Sequence, residues 1–311
     1  VDEETPSPLP NLDYKIMQGN SLIESFMGVD LSKLTYEKEY KKDKGEISLF
    51  DDEKNRLQKT VSHLLSSYYS CSDHDRKLKL QQEISDTINK QLEAQAYDPT
   101  ILAKLKEINL AENNKFFLWH TWFSDVFNRE DKEGFDIVIG NPPYIGEKGH
   151  KEIFQPVKSD IHLGQYYLGK MDYFYFFFHL AFNMLSPHGV ATFITTNYYP
   201  TALGARRLRA DIKDRMNIKT LFNLGELRLF ENAPGQHNMI SSFAKGKDGC
   251  KCQVIDVHKK GALNPLMFTS IISRKDEDTA YADVAQEDLY DGEENYIRLQ
   301  NSSGNNPLSS L

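Results

Sequence analysis

One stretch constrains the fold of this chain more than any other: an apolar run that stops on a glycine. Ile137, Val138 and Ile139 are consecutive β-branched residues, which is typical of a strand buried in a parallel sheet. Gly140 follows and permits a tight exit from the strand. Because α/β proteins carry their sites just beyond the carboxyl ends of such strands, the next residues are the first candidates for function.

The loop after the glycine is stiff and rich in acceptors, with the sequence Asn141-Pro142-Pro143-Tyr144. The prolines fix φ and lack an N–H group, so carbonyl groups here are left without partners. The side chain of Asn141 adds another carbonyl oxygen. Two acceptors held close together suit a planar amino group, whose nitrogen becomes nucleophilic when both of its hydrogens are bonded. Tyr144 offers a flat face on which a ring can stack.

Asn-Pro is a common turn signal, so this tetrapeptide alone is equally compatible with a plain β-turn. With its preceding strand, the motif Asn141-Pro142-Pro143-Tyr144 resembles the catalytic motif of S-adenosylmethionine-dependent amino-methyltransferases. The longer match is to adenine-N6 DNA methyltransferases of the gamma class, as found in type IIG restriction-modification enzymes. This resemblance extends from Asp13 to about Phe243 and excludes one polar segment.

The resemblance implies a role for each residue of the motif, with Pro143 among the catalytic residues. Asn141 and the Pro142 carbonyl would bind the amino group of an adenine that is flipped out of double-stranded DNA. Tyr144 would stack on this base, and Phe230 would contact it opposite Tyr144. The nitrogen would then attack the cofactor methyl group in line, with no metal ion and no covalent enzyme intermediate.

The resemblance also implies cofactor-binding residues. A strand predicted over residues 14–18 ends at a loop that contains Asn20 and Ser21. In the family, an acidic or amide side chain of this loop bonds the adenine amino group of S-adenosylmethionine, and Asn20 takes its place here. Asn141 and Pro143 complete the implied cofactor contacts. An ordinary strand followed by a Gly-Asn turn is the alternative interpretation.

One part of the family pattern has no counterpart in this sequence. Upstream of Asn20 there is no strand, Gly-rich loop and helix to hold the cofactor, and no acidic residue for its ribose. We therefore expect the chain to be the C-terminal part of a catalytic domain. The upstream part of the same polypeptide would carry the cofactor loop, and the chain alone would bind S-adenosylmethionine weakly or not at all.

The expected fold class is α/β, with an incomplete Rossmann-like methyltransferase sheet and an α-helical insertion. The predicted segments are the start of the core (1–30), a helical insertion (31–114), the catalytic core (115–245), and a linker with the start of a target-recognition region (246–311). Helices are predicted over residues 51–70, 73–97, 171–185 and 204–216, and further strands over 190–195, 218–225, 238–243 and 252–257. The insertion either contacts DNA or a neighbouring domain, or is a solvated helical hairpin.

Two basic segments are candidates for contact with DNA phosphates. The helix over 204–216 carries Arg206 and Arg207, which would hold the backbone by bidentate hydrogen bonds, or else belong to an exposed surface helix. Residues 145–169 lack periodicity and predict a long loop that could close over the flipped nucleotide. Its lysines could meet phosphates or could simply be solvated.

Composition excludes several classes of protein and leaves others open. The net charge of −8 argues weakly against a duplex partner, although the basic segments above make the local charge more informative than the total. The longest apolar run, residues 173–185, is too short to span a membrane. Three cysteines, an odd number, suggest a reducing compartment such as the cytoplasm, and they show no zinc-type spacing.

Two other functions fit the same residues. A glutamine side chain also has a planar amino group, so a protein-glutamine or RNA amino-methyltransferase is possible on the motif alone. A chain without its cofactor half could also be a non-catalytic DNA-binding fragment. The insertion, the position of Phe230 and the long C-terminal tail favour DNA methylation over these alternatives.

Overall fold

The computed structural model describes residues 17–34, 49–95, 97–230 and 236–299. The chain divides into two compact units, Val1–Arg129 and Glu130–Leu311. These units do not coincide with the four predicted segments, whose functional assignment stays a prediction. The Pro-rich start, most of the strand predicted at 14–18, and the end of the tail lie outside the described residues.

Two long helices dominate the first unit, as the spacing of apolar residues predicted. Helix α1 covers Leu49–Ser70, α2 covers His74–Ala94, and a shorter α3 covers Pro99–Lys106. A three-residue connection turns the chain back, so α1 and α2 pack side by side. Their shared core contains the buried side chains of Val61, Leu65, Tyr68, Leu80, Ile84, Ile88 and Leu92.

Shorter elements complete the first unit. They are the paired strands Ser25–Phe26 and Val29–Asp30, a 3-10 helix at Ser32–Leu34, and the helical turns Trp119–Trp122 and Ser124–Phe127. His120 is a structural residue here, because its Nδ1 lies 2.7 Å from Oε2 of the buried Glu24. Desolvation of that carboxyl raises the pKa of Glu24, and the hydrogen bond with His120 opposes the shift.

A six-stranded sheet forms the second unit. Its strands are β1 (Phe135–Gly140), β2 (Leu185–Thr196), β3 (Met216–Asn223), β4 (Asn238–Lys245), β5 (Cys252–Val257) and β6 (Thr279–Val284). The order across the sheet is β6-β5-β3-β4-β2-β1. Strand β4 runs antiparallel to both neighbours, β6 runs antiparallel to β5, and the other four strands run parallel to one another. The α/β fold class and the four further strands are thus confirmed.

The helices of the second unit are α4 (Lys151–Lys158), α5 (Phe174–Met184), α6 (Arg206–Arg215) and α7 (Pro265–Ile272). Helix α5 packs on β2 and α6 packs on β3. Phe178 of α5 stacks on Phe193 of β2 with ring centroids 4.6 Å apart, and it meets Phe243 of β4 at 5.4 Å. This aromatic contact fixes α5 over the middle of the sheet.

Short elements connect these parts. The 3-10 helices are Gly164–Tyr166, Leu203–Ala205 and Gln286–Leu289. Leu227–Arg228 pairs in parallel with Gly261–Ala262, and Tyr290–Asp291 pairs antiparallel with Tyr296–Ile297. No helix among the described residues has the length and apolar character that a membrane crossing requires.

The prediction that Ile137–Ile139 is a buried strand was wrong in one respect. Strand β1 does pair in parallel with β2, but among the described strands it is the last one of the sheet. Ile137 is 68% exposed and Ile139 is 80% exposed. Side chains two residues apart lie on the same face, so a contiguous apolar face of β1 is open to solvent.

Two further differences concern loops and boundaries. The predicted long loop over 145–169 contains α4, whose Phe154 and Val157 are buried although Pro156 lies between them. The sheet continues past residue 245, because β5 and β6 pair beyond β3. The assignment of 246–311 to a linker and a target-recognition region stays a prediction.

Candidate active site

The carboxyl ends of the parallel strands meet at one edge of the sheet. They end at Gly140, Thr196, Asn223 and Val257, and the antiparallel β4 begins at this edge with Asn238. Polar side chains follow these ends, as expected for a binding site of an α/β fold. The Asn-Pro-Pro-Tyr loop leaves β1 at this edge.

The residues of the motif differ in exposure. Asn141 and Pro143 are exposed, Tyr144 is half-buried, and Pro142 is buried. The Tyr144 hydroxyl lies 2.8 Å from Oδ1 of Asn141 and 2.9 Å from the carbonyl oxygen of Ile194. The hydroxyl has one proton, which it shares between these two acceptors, and it thereby holds the Asn141 side chain near the end of β2.

Tyr144 is itself held from two sides. Its ring meets the ring of Phe174 edge-on, with centroids 6.1 Å apart and an interplanar angle of 75°. Burial raises the pKa of Tyr144 to about 12, and a hydrogen bond with the Asn238 side chain opposes the shift. The phenol is therefore protonated at neutral pH and donates its hydrogen bond.

From the sequence, Tyr144 was predicted to stack on a base, and its hydrogen bond to Asn141 was not predicted. The signal for it was present, because the first and fourth residues of a tight turn come close together. The contributions of Ile194, Phe174 and Asn238 had no signal, since their contacts join segments distant in sequence.

The motif presents two acceptors. An amide oxygen has two lone pairs, so Oδ1 of Asn141 can accept a second hydrogen bond besides that of Tyr144. Within the described parts of the chain, no donor bonds the carbonyl oxygen of Pro142. An amino group with two hydrogens is the chemical group that such a pair of acceptors fits.

A polar network stiffens the same edge of the sheet. Nδ2 of Asn197 donates to Oδ1 of Asn223 at 2.9 Å, and Nδ2 of Asn223 donates to Oδ1 of Asp256 at 2.7 Å. The amide of Gly225 also donates to Oδ1 of Asn223 at 3.3 Å. Three strand ends are thus cross-linked through Asn223, which the sequence did not predict.

Among the described contacts, none connects Phe230 with the Asn-Pro-Pro-Tyr loop. Phe230 is half-buried and follows the short strand Leu227–Arg228. No ring contact described for Phe230 reaches Tyr144, and residues 231–235 lie outside the described residues. Its contact with an extruded base stays a prediction.

Both predicted DNA-binding arginines have intramolecular partners. Nη1 of Arg206 lies 3.2 Å from Oε1 of Glu294, and the Arg206 side chain is 51% exposed. Arg207 donates to the carbonyl oxygens of Gln165 and Tyr167. Helix α6 therefore uses part of its charge within the second unit, and its contact with DNA stays a prediction.

The predicted cofactor residues Asn20 and Ser21 lie in the first unit, and both are half-buried. Oδ1 of Asn20 accepts a hydrogen bond from the Leu22 amide at 3.3 Å. The Ser21 carbonyl accepts from Nε1 of Trp119 at 2.8 Å. These contacts fix the loop, and its role in cofactor binding stays a prediction.

Comparison with characterised proteins identifies relatives. Residues 24–230 match the family model described as Eco57I restriction-modification methylase. Type II methyltransferase M.HincII of Haemophilus influenzae is 25% identical over 141 residues, which cover 45% of this chain and 28% of that protein. M.HindII of Haemophilus influenzae strain Rd is likewise 25% identical over 141 residues and 45% of this chain. The aligned region is 28% and 27% of these two relatives, respectively.

Similar folds occur among solved structures. The type IIG restriction endonuclease BpuSI is 16% identical with a TM-score of 0.35, over 49% of this chain and 19% of that chain. A type I methyltransferase subunit from Streptococcus thermophilus is 15% identical with a TM-score of 0.37, over 59% and 41% of the two chains. The family model matches more than half of the chain and includes the whole Asn-Pro-Pro-Tyr loop. The chain therefore belongs to the family of Eco57I restriction-modification methylases.

Proposed function

We propose that this chain carries the methyl-transfer site of an S-adenosylmethionine-dependent methyltransferase that modifies the N6 amino group of adenine in DNA. It would act in the cytoplasm as part of a type IIG-like restriction-modification enzyme. The supporting observation is the acceptor pair at the end of β1. The exposed Asn141 amide is oriented by Tyr144, and the neighbouring Pro142 carbonyl has no donor among the described residues.

The proposed chemistry needs the target base outside the DNA stack. Asn141 and the Pro142 carbonyl accept the two N6 hydrogens, and the half-buried Tyr144 ring stacks on the base, with Phe230 at its edge. The N6 nitrogen, held by Asn141 and the Pro142 carbonyl, would take the methyl group that bound S-adenosylmethionine would supply with loss of its carbon–sulfur bond. One N6 proton is then released to solvent. Positioning and preorganised acceptors supply the rate enhancement.

The cofactor would contact Asn20, Ser21, Asn141 and Pro143. Asn20 fits this role in part. Among the described residues its Oδ1 accepts one long hydrogen bond, at 3.3 Å, and its amide carries no charge. S-adenosylmethionine supplies the methyl group when bound. The remaining cofactor contacts would come from the upstream part of the same polypeptide.

Substitution of Asn141 in the complete natural protein tests the function. Asn141→Ala should abolish methyl transfer from labelled S-adenosylmethionine to duplex DNA and leave DNA binding nearly unchanged, because only an acceptor in the reacting complex is lost. The exposed Asn114 provides the matched control, and Asn114→Ala should keep full activity. An active Asn141→Ala enzyme contradicts the mechanism. Transfer to a protein glutamine or to RNA, with none to duplex DNA, contradicts the proposed substrate.

A further inference from the structure

A cavity of about 820 Å³ opens immediately after the catalytic motif. Its walls are residues 146–148, helix α4 and residues 167–172. Four lysines line it, Lys148, Lys151, Lys158 and Lys170, and we call it the lysine pocket. Phe154 and Met171 are buried residues of its lining.

The lysine pocket is built on the same backbone as the catalytic tyrosine. The Ile145 carbonyl accepts from the Tyr173 amide at 2.8 Å, and the Glu147 amide donates to the Met171 carbonyl at 2.9 Å. Gly146 and Asp172 form an antiparallel bridge between these two bonds. Lys148 lies four residues after Tyr144, so their Cα atoms are at most roughly 14 Å apart.

The four ammonium groups are available to a ligand. All four lysines are exposed, and none forms an ion pair within the described ranges of the chain. Nζ of Lys158 lies 4.9 Å from the centroid of the Tyr167 ring, which holds that ammonium over the pocket.

Two carboxylates also line the pocket, and both have internal donors. The buried Glu147 accepts from the Tyr167 hydroxyl and, at 2.5 Å, from the Lys170 amide. The half-buried Asp172 accepts from the Tyr175 hydroxyl at 3.2 Å. The lining therefore holds four lysines against two carboxylates, and this excess of positive charge attracts an anionic ligand.

We propose that the lysine pocket binds a backbone phosphate of the DNA strand that carries the target adenine, close to the extruded nucleotide. This inference rests on the proposed function, because the strand must enter the site at Tyr144. Phosphate contacts set the register of a protein on DNA without reading its sequence. Because the lysine pocket lies within a few residues of Tyr144, a phosphate bound there would hold the DNA strand while one base is flipped out of the duplex.

The salt dependence of duplex binding tests this proposal in the complete natural protein. Each phosphate contact contributes about 0.9 to the slope of log affinity against log salt concentration. Because the proposal places one phosphate in the pocket, Lys151→Gln/Lys158→Gln should lower this slope by roughly 0.9. Between 50 and 200 mM salt, the affinity of the variant should then fall about 3.5-fold less than the affinity of the wild type. Binding is followed by fluorescence anisotropy of a labelled duplex.

The matched control is Lys251→Gln/Lys275→Gln, which removes the same charge from exposed lysines next to β5 and β6, at the other end of the sheet. It should keep the wild-type slope. Equal slopes for the pocket and control variants overturn the proposal. Competition by inorganic phosphate with an unchanged slope also overturns it, since the pocket then takes a small anion and not DNA.

Methyl transfer is measured separately and reports on the proposed function. A reduced slope for the pocket variant, in a protein whose wild type transfers no methyl group to DNA, supports phosphate binding and refutes the catalytic proposal. Normal transfer with an unchanged slope refutes the lysine pocket and keeps the catalytic proposal. The two failures are therefore distinguishable.

Discussion

Tyr144 shows how one side chain can serve two purposes at the candidate site. Its ring is half-buried against Phe174, and its hydroxyl proton is shared between Oδ1 of Asn141 and the Ile194 carbonyl. The hydroxyl orients the Asn141 amide before any substrate arrives. Removal of the hydroxyl should therefore affect catalysis without removing the stacking surface.

Tyr144→Phe should lower kcat for methyl transfer roughly five-fold, because a hydrogen bond worth about 1 kcal/mol no longer orients Asn141. Tyr144→Ala should lose more, since the stacking face also disappears. Single-turnover measurements with saturating cofactor separate this step from product release. Wild-type rates for Tyr144→Phe would show that the hydroxyl does not orient the amide.

His179 should make the stability of the second unit depend on pH. It is fully buried, and its Nδ1 lies 2.6 Å from Oδ2 of Asp211, while its ring stacks on Tyr166 at 3.6 Å. Within the described structure its Nε2 has no partner, so a second N–H would be buried without an acceptor. Burial lowers the pKa of His179, although Asp211 opposes the shift.

The direction of the pH effect follows from the lowered pKa. On lowering the pH, His179 binds a proton more readily in the unfolded chain than in the folded chain. The stabilisation that comes from the neutral, buried His179 is therefore present above about pH 6.5 and is lost as the pH falls. The denaturant midpoint of the wild type should therefore be lower at pH 5.5 than at pH 7.5. The midpoint of His179→Gln should fall by less over the same change of pH. An equal decrease in both proteins would exclude His179 as the source.

At the scale of elements, the helix α2 begins as its sequence indicates. Oδ1 of Asp73 accepts from the Arg76 amide at 2.7 Å and so satisfies one N–H group of the first turn. Asp73→Ala should lower the free energy of unfolding of the first unit by about 1 kcal/mol, measured by urea denaturation. Ser72→Ala next to it should change little, and equal losses would refute the cap.

Helix α6 is an element whose role the sequence did not reveal. Arg209 is fully buried, and it donates to the carbonyls of Glu294, Tyr199 and Ala202 at 3.0, 3.0 and 2.6 Å. Its guanidinium also lies 4.7 Å from the ring centroid of Tyr296. This arginine holds the C-terminal segment and a loop against α6.

Arg209→Met should lower the free energy of unfolding by roughly 3 kcal/mol, because three carbonyl groups lose their donor. The matched control is Arg206→Met on the same helix. Its ion pair with Glu294 is half-exposed and should contribute less than about 1 kcal/mol. Thermal and denaturant unfolding measure both variants, and similar losses would contradict a special role for the buried guanidinium.

At the scale of the whole molecule, the proposed function can be tested through the affinity of this chain for its cofactor. We expect this chain alone to bind S-adenosylmethionine weakly or not at all, because no Gly-rich loop is present in its sequence. Isothermal titration of the chain and of the complete natural protein makes the comparison. Micromolar affinity of the chain alone would contradict the expectation.

The sequence by itself determined the features that depend on near neighbours in the chain. Apolar residues at helical spacing predict α1 and α2. The β-branched run and the stiff loop after it predict that Asn141 follows the end of a strand. Helical periodicity, capping and proline stiffness act over a few residues, so they can be read from the sequence.

Only the tertiary structure decided what each charge and each strand faces. In the folded chain, β1 lies at the edge of the described sheet, and Arg209 is buried. Four lysines line one cavity. The physical reason is that burial and ion pairing depend on contacts between segments far apart in the chain. The same lysine or arginine pattern is compatible with a solvated surface, a core contact or a binding pocket until those segments pack.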